Sequence, residues 1–477
     1  MSTTPLDLNN IQGDILVGIP KKTQTYFFFA IQDTTLFRTA LLALIPFIKT
    51  AAQAQADQKS IADHKLKGLT TLIPMTGTQI AFSNAGLTKL GITGVATPGV
   101  ADPNSDPFLE GQFKDSKNIG DAGTGPGRDF VPAWDPAFGN ANIHGVIFIG
   151  GSDHLTVDAE LAKTKLILGL SVKEVIQIRG DTRPKDQSGH EHFGFLDGIS
   201  NPTIIGFNDK NAPPGPKPVD RSVLLTGQPS TSNPGPAPVL VDGSFLAFRY
   251  LFQLVPEFNQ FLKQNPINGD SELLGARMVG RWKSGAPIDV TPTQDNPDIG
   301  KDPQRNNNFF YSGELAKGDQ TRCPYSAHTR KTNPRADFTE HGLADQLNQR
   351  RIMRRGIQFG PEVTTEEANN NRSINGRGLL FVCYQSDLTK GFQFIQKTWA
   401  NNPGFLNTAV DSNLKPIQPG LDSIIGQNAD QARGVVGTDP ANPDGSLTIP
   451  RFIVPQGGEY FFSPSISALK NVIAHIL

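Results

Sequence analysis

The sequence predicts an α+β protein made of two ferredoxin-like units, antiparallel sheets with helices packed at their periphery. Three observations carry this. The first half alternates strand-like and helix-like segments in the order β-α-β-(α)-β-α-β. A proline-rich stretch then breaks the pattern, and the second half runs through the same plan again. Finally, 477 residues are too many for one small core.

In chain order, residues 23–31 (TQTYFFFAI) read as a buried strand. Leu36, Phe37, Ala40, Leu41 and Leu44 then fall on one helical stripe. Residues 72–83 read as extended, with a short helix from Asn84. His144 to Gly150 is a strong strand, 154–168 is helix-like, and Val172 to Arg179 alternates as a strand. Residues 206–243 hold eight prolines and form a connection rather than an element. The expected division is therefore 1–205, the connection 206–243, and 244–477. In the second unit, 244–255, 351–359, 378–384 and 458–462 read as strands, and 256–264, 272–282 and 391–400 as helices. Most of 285–350 fits neither copy and reads as long loop; a loop of that length usually has a job.

Composition narrows the function. With 44 basic and 45 acidic residues the net charge is −1, which gives no electrostatic reason for nucleic acid or an anionic membrane as partner. Two cysteines, Cys323 and Cys383, exclude a disulfide framework. No run of about 20 apolar residues exists, so no transmembrane helix is expected. Residues 1–5 lack a basic region followed by an apolar one, so a signal peptide is either absent or removed. Gly-x-Ser-x-Gly, the phosphate loop, Cys-x-x-Cys and His-Glu-x-x-His are all missing, which lowers hydrolase, nucleotide and zinc readings.

Three constellations remain. Asp197 sits in Gly194-Phe195-Leu196-Asp197-Gly198, a carboxyl in a glycine and aromatic frame. Just upstream, His190 and His192 could present two imidazoles to a metal; the blander reading is a turn entering Phe195. His328, with Arg330 two residues on, suits a haem, imidazole for iron and guanidinium for a propionate. Around 350–355 (RRIMRR), strand alternation puts Ile352 and Arg354 on one face and Met353 and Arg355 on the other. At least one guanidinium should thus lie near the interior, where it needs an anion: Asp197, a propionate or bound peroxide.

Taken together, residues 194–202 (GFLDGISNP), 280–287 (GRWKSGAP), 304–309 (QRNNNF), 323–331 (CPYSAHTRK), 352–354 (IMR), 457–464 (GGEYFFSP) and 10–16 (NIQGDIL) resemble the fungal dye-decolorizing peroxidases. The blocks run in order through nearly the whole chain. The resemblance implies two ferredoxin-like units enclosing one haem b per chain. His328 resembles the proximal iron ligand, and Asp422 the carboxylate that accepts its N–H. Arg330 looks like a propionate contact. Asp197 and Arg354 match the distal pair, and Leu379 and Phe381 the apolar distal wall. Trp399 matches a surface tryptophan that passes electrons inward from bulky dyes, although Phe392, Ile395 and Trp399 share a helical face and read equally as core.

The implied activity is reduction of hydrogen peroxide through an oxoferryl intermediate, with oxidation of dyes and phenolic aromatics, at an acidic optimum. A family tyrosine is replaced here by Phe359, which cannot form a phenoxyl radical. Asp337, Glu340 and Asp345 show no clear clustering for manganese. The competing reading is a haem-binding or iron-release protein with little turnover. The resemblance further implies an extracellular protein, with the missing leader leaving an intracellular one open; a monomer or weak oligomer is expected.

Overall fold

A computed structural model describes residues 5–139, 142–210, 212–228, 237–428 and 433–475. Its main sheet has nine antiparallel strands. The first unit supplies β1 (Thr23–Ile31), β2 (Thr76–Phe82), β3 (Gly145–Gly151) and β4 (Val172–Asp181). The second supplies β5 (Ser244–Gln253), β6 (Met353–Arg354), β7 (Ile357–Phe359), β8 (Gly378–Gln385) and β9 (Ile453–Ser463). The order is β4-β1-β3-β2 in the first unit and β9-β5-β8 followed by β6 and β7 in the second. In both, the last strand pairs with the first, and the third lies between the first and second. That shared order is the ferredoxin-like plan expected from the sequence. The halves meet where Phe462 of β9 pairs with Phe82 of β2, so one sheet spans both. We propose that 206–243 still marks the boundary between two folding units, because no strand pairing within β1–β4 or within β5–β9 crosses it.

Alternation along the strands separates two cores. One face turns inward: Tyr26 and Phe28 of β1 pack on Phe248 of β5, with ring centroids 5.3 and 5.0 Å apart. Leu380, Val382, Tyr384 and Phe461 join them, so the sheet curls round this cluster. Its far edges approach where Gly180 of β4 lies against β7. A Cβ there would stand 2.7 Å from the Gln358 carbonyl oxygen, so only glycine allows the approach. On the opposite face of the first unit, Phe29, Ile147 and Ile149 are covered by helices Thr34–Leu44 and His154–Leu168 through Phe37, Leu41, Val157 and Leu161. Each fully buried large side chain contributes roughly 1.5–3 kcal/mol. Asp33 and Asp153 start these helices by accepting from the Leu36 and Thr156 amides.

The same face of the second unit is different. Its outer-facing residues Arg249, Leu251, Leu379 and Phe381 floor a cavity instead of a helix contact. Val279 at the end of helix Ser271–Val279, residues 328–350 of the long 285–350 segment, and Phe392, Ile395 and Gln396 wall this cavity. That segment is mostly irregular, as expected, with short helices at His328–Thr332, Ala336–Thr339 and Ala344–Gln349. The expected strand 351–359 is split at Arg355-Gly356, and the expected helix 391–400 is an α-turn at 392–394 running into a wider π-type helix at 395–400. Cys323 and Cys383 are both buried and free.

Candidate active site

Asp197 is set by a turn held at several points. Gly194 (φ +97°) and Gly198 (φ +86°) both adopt left-handed conformations. The Asp197 amide donates to the Gly189 carbonyl (3.0 Å), and the Leu196 amide to the Lys283 carbonyl (3.1 Å). Inside the turn the Glu191 carboxylate accepts from the Phe193 and Phe195 amides, at 2.9 and 2.8 Å, and from Gln253 Nε2. Asp197 then offers Oδ1 to the Gly198 amide (2.6 Å) and to Arg354 Nη1 (2.7 Å).

Arg354 reaches this point from β6. Its amide donates to Asn201 Oδ1 (3.1 Å) and its Nη2 to the Ile199 carbonyl (2.5 Å). Alternation holds as expected: Ile352 and Arg354 line the cavity, while Met353 enters the inner core and Arg355 donates to the Asp14 and Leu16 carbonyls. Both Asp197 and Arg354 keep about three-tenths of their side-chain surface open to the cavity. Burial alone would raise the Asp197 carboxyl; the Arg354 guanidinium and the Gly198 N–H outweigh it and hold the carboxyl below its ordinary value.

His328 lines the same cavity. Its Nδ1 lies 2.9 Å from Asp422 Oδ2, while Asp422 Oδ1 accepts from the Ile424 and Ile425 amides. Asp422 is fully buried, and burial would raise it, but the His328 contact and these amides keep it low and ionised. An ionised Asp422 makes Nδ1 the protonated nitrogen of His328, which leaves Nε2 with a free lone pair. The Ser423 amide donates to the Ser326 carbonyl (3.1 Å), which staples the two loops together. Leu379 and Phe381 stand on the cavity floor.

Two expectations need correction. Arg330 does not line the cavity. It is fully buried and consumed by Asp337 (2.7 and 2.8 Å), Glu314 (2.9 Å) and the Cys323 carbonyl (2.6 Å), so it braces the His328 loop instead of meeting a propionate. Trp399 offers no surface to a dye. It is 2% exposed, stacked on Phe405 (5.1 Å) and edge-on to Phe338 and Phe394 (both 5.4 Å), which is the core reading of its helical face.

Arg281, Arg335 and Arg351 line the cavity beside Arg354, as do Arg249 on its floor and Arg350. Sequence reasoning missed the first two and saw Arg351 only as part of a charge run. Burial, then mutual repulsion, lowers Arg281 to about 9 and Arg351 to about 10; burial lowers Arg335 to about 10. Among the described residues no carboxylate forms an ion pair with any of the three, and Arg335 Nε has no partner. Glu191 and Asn201 were missed as well; only the place of Glu191 between His190 and His192, and of Asn201 inside the block 194–202, could have flagged them.

His190 and His192 turn away into a separate polar cleft with Arg183 and Glu362. His192 Nε2 lies 2.8 Å from the Phe359 carbonyl, and burial, then Arg183, lowers it to about 4. Among the described residues no group of three ligand side chains could hold a metal ion.

One sheet-floored cavity thus brings a carboxylate–guanidinium pair together with a carboxylate-backed imidazole. Two family models match in order: the DyP dimeric alpha+beta barrel domain over residues 10–184 and the Dyp-type peroxidase C-terminal domain over 238–411. The chain belongs to the dye-decolorizing peroxidase family and is a peroxidase. It is 43% identical to a dye-decolorizing peroxidase of Auricularia auricula-judae, over 98% of this chain and 87% of that one. An ancestral D-type dye-decolorizing peroxidase structure is 53% identical with a TM-score of 0.90, covering 99% of this chain and all (100%) of that chain. A dye-decolorizing peroxidase solved with 2,6-dimethoxyphenol is 42% identical, TM-score 0.84, covering 98% and 100%. No helix among the described residues is long and apolar enough to cross a membrane.

Proposed function

We propose that this peroxidase works on a b-type haem held by His328, with Asp197 and Arg354 as the groups that handle peroxide. The observation that carries this is the placement of Asp197–Arg354 and His328–Asp422 on one cavity whose walls are mainly apolar side chains and further arginines. The residues fit a haem. His328 Nε2 is a free imidazole ligand, Leu379, Phe381, Ile424 and Ile425 suit a flat apolar ring, and the uncompensated Arg335 and Arg351 suit its two carboxylates. Haem, when bound, supplies an iron that holds peroxide and takes up its oxidising equivalents.

The chain's own residues do the rest. Asp197 Oδ1 is fixed by Arg354 and Gly198, so Oδ2 is the oxygen left to take a proton. It removes the proton from the near oxygen of peroxide and returns it to the far one, which leaves as water. Arg354, aimed by the Ile199 carbonyl, stabilises negative charge on that departing oxygen. Asp422 holds the His328 N–H and so makes the imidazole a stronger donor. Because Arg354 keeps Asp197 ionised below the usual carboxylate range, the proton carrier survives in acid, where a free histidine (about 6.5) would be charged.

The phenol bound by the relative supports small phenolic aromatics as reducing substrates, and dyes follow from the family. A carrier that only binds or releases haem has no use for a cavity-facing Asp197–Arg354 pair. The test is an absorption spectrum of the purified chain with an added phenol and peroxide. A Soret band with peroxide-dependent phenol oxidation is expected. A Soret band without turnover would favour the carrier, and its absence after haem addition would overturn both.

A further inference from the structure

The helices that cover the first unit leave a surface the peroxidase site does not use. Helix His154–Leu168 is apolar on both sides. Val157 and Leu161 enter the core, yet Leu155 (82% exposed), Leu166 (83%) and, just beyond the helix, Leu170 (91%) stand in solvent. Ala159 and Ala162 are also exposed and lie on the same outward stripe. Beside it runs helix Thr34–Leu44. Its exposed positions, Thr35, Leu36, Thr39, Leu42 and Ala43, carry no charge, and Phe47 follows them. The two helices are neighbours: Lys163 Nζ lies 3.3 Å over the Phe47 ring, and the Gln32 amide donates to the Ser171 carbonyl (2.8 Å).

We propose that this outer face is where a second copy of the chain docks, through an isologous two-fold contact. Leu36, Leu42 and Phe47 are 41–53% exposed. With the three far more exposed leucines, and at roughly 200 Å² per large apolar side chain, the face offers on the order of 700 Å², near the ~800 Å² per partner of a standard interface. A patch that large is uncommon on a monomer.

The pattern is also self-complementary. About a point between Glu160 and Leu161, an antiparallel copy places Leu155 against the partner's Leu166, with Ala159 and Ala162 between them where two backbones can come close. Most charges along the margin are already paired within the chain: Asp158 with Arg179, Lys163 with Glu160 and Lys165 with Glu174, while Lys173 lies beyond Leu170. Covering the stripe between Leu155 and Leu166 therefore strands none of these paired charges. These margins also hold no free cation cluster for an anionic membrane, which favours another apolar protein face.

Sedimentation velocity of the full chain, from low to high micromolar, tests this. The wild type is expected to shift reversibly from monomer to dimer, and Leu166→Glu to weaken that association at least about tenfold. Leu155→Gln, a milder change at the other end of the stripe, is expected to weaken it too. Leu66→Glu, equally exposed (85%) on helix Ala51–Leu66, which packs against Gly13–Leu16 instead, is expected to leave it unchanged. Circular dichroism checks that each variant is folded. A wild type monomeric throughout, or a dimer as tight in Leu166→Glu, would overturn the proposal. So would a monomer that instead co-floats with phosphatidylcholine vesicles, which would assign the face to lipid.

Discussion

Replacing Asp197 by Asn isolates proton transfer from architecture. Both ordered contacts of the carboxylate, from the Gly198 amide and Arg354 Nη1, fall on Oδ1. An asparagine carbonyl oxygen can accept both, so the turn and the arginine stay in place. What is lost is Oδ2 as a proton acceptor, since the amide nitrogen put there cannot take one. General base catalysis of this kind is worth about 10²–10⁴-fold, or about 3–5 kcal/mol of barrier. Stopped-flow absorbance after mixing with peroxide reads the step directly, and the Soret band before mixing reports whether haem is still held. The expected result is an unchanged resting spectrum with peroxide reactivity down by two orders of magnitude or more. A loss below about tenfold would refute Asp197 as the proton carrier. Loss of the Soret band would instead make it a structural group.

Four further outcomes follow from the same geometry. The Asp197 carboxyl is held low, so its ionised form, and any stability it contributes, is present above about pH 4 and lost only as pH falls through the lower folded value. The acid limb of kcat/KM for peroxide should lie below about 3.9; a limb between about 5 and 6 would contradict the Arg354 effect. Arg330→Ala leaves Asp337 and Glu314 buried without their cation and should cost about 3–5 kcal/mol in denaturant unfolding. Arg351→Ala should speed haem loss to a scavenging apoprotein about tenfold or more if Arg351 holds a haem carboxylate, because a charged hydrogen bond is worth about 1.5–3 kcal/mol. Trp399→Ala should cost about 3–5 kcal/mol of stability, and Trp399→Phe should lower dye and phenol oxidation equally or not at all; a loss confined to bulky dyes would restore Trp399 as an electron relay.

What the sequence disclosed follows the physics of each segment. Strand β1 was legible because nine consecutive buried residues, three of them adjacent phenylalanines, suit nothing else. Helix Ala51–Leu66 was not. It buries only Ala51 and Ala54, so it has no apolar stripe, and its sole signal was the Thr50–Gln53 capping box. Asp197, Arg354, His328 and Asp422 were found because each lies in a short block with a distinctive neighbourhood. Arg281 and Arg335 were not, because their meaning is their proximity to Arg351 across intervals that no local pattern encodes. Arg330 misled for the converse reason. A cation two residues from His328 looks placed for the same ligand, but helical geometry from His328 to Thr332 turns it roughly 200° away, toward Asp337 and Glu314.

The two copies of the sheet plan also differ in how they use one surface. In the first, the face beneath Phe29 and Ile149 is sealed by two helices. In the second, the corresponding face, with Arg249, Leu251, Leu379 and Phe381, is left hollow. One copy of the plan thus serves as a plug and the other as a vessel. Yet the vessel is incomplete alone, because Asp197 arrives on the tail that follows β4 of the plug. A lone second copy would keep the cavity but lack the carboxylate proposed here to work on peroxide. Joining the copies end to end, with the tail between them, is what brings Asp197 into the hollow of the second.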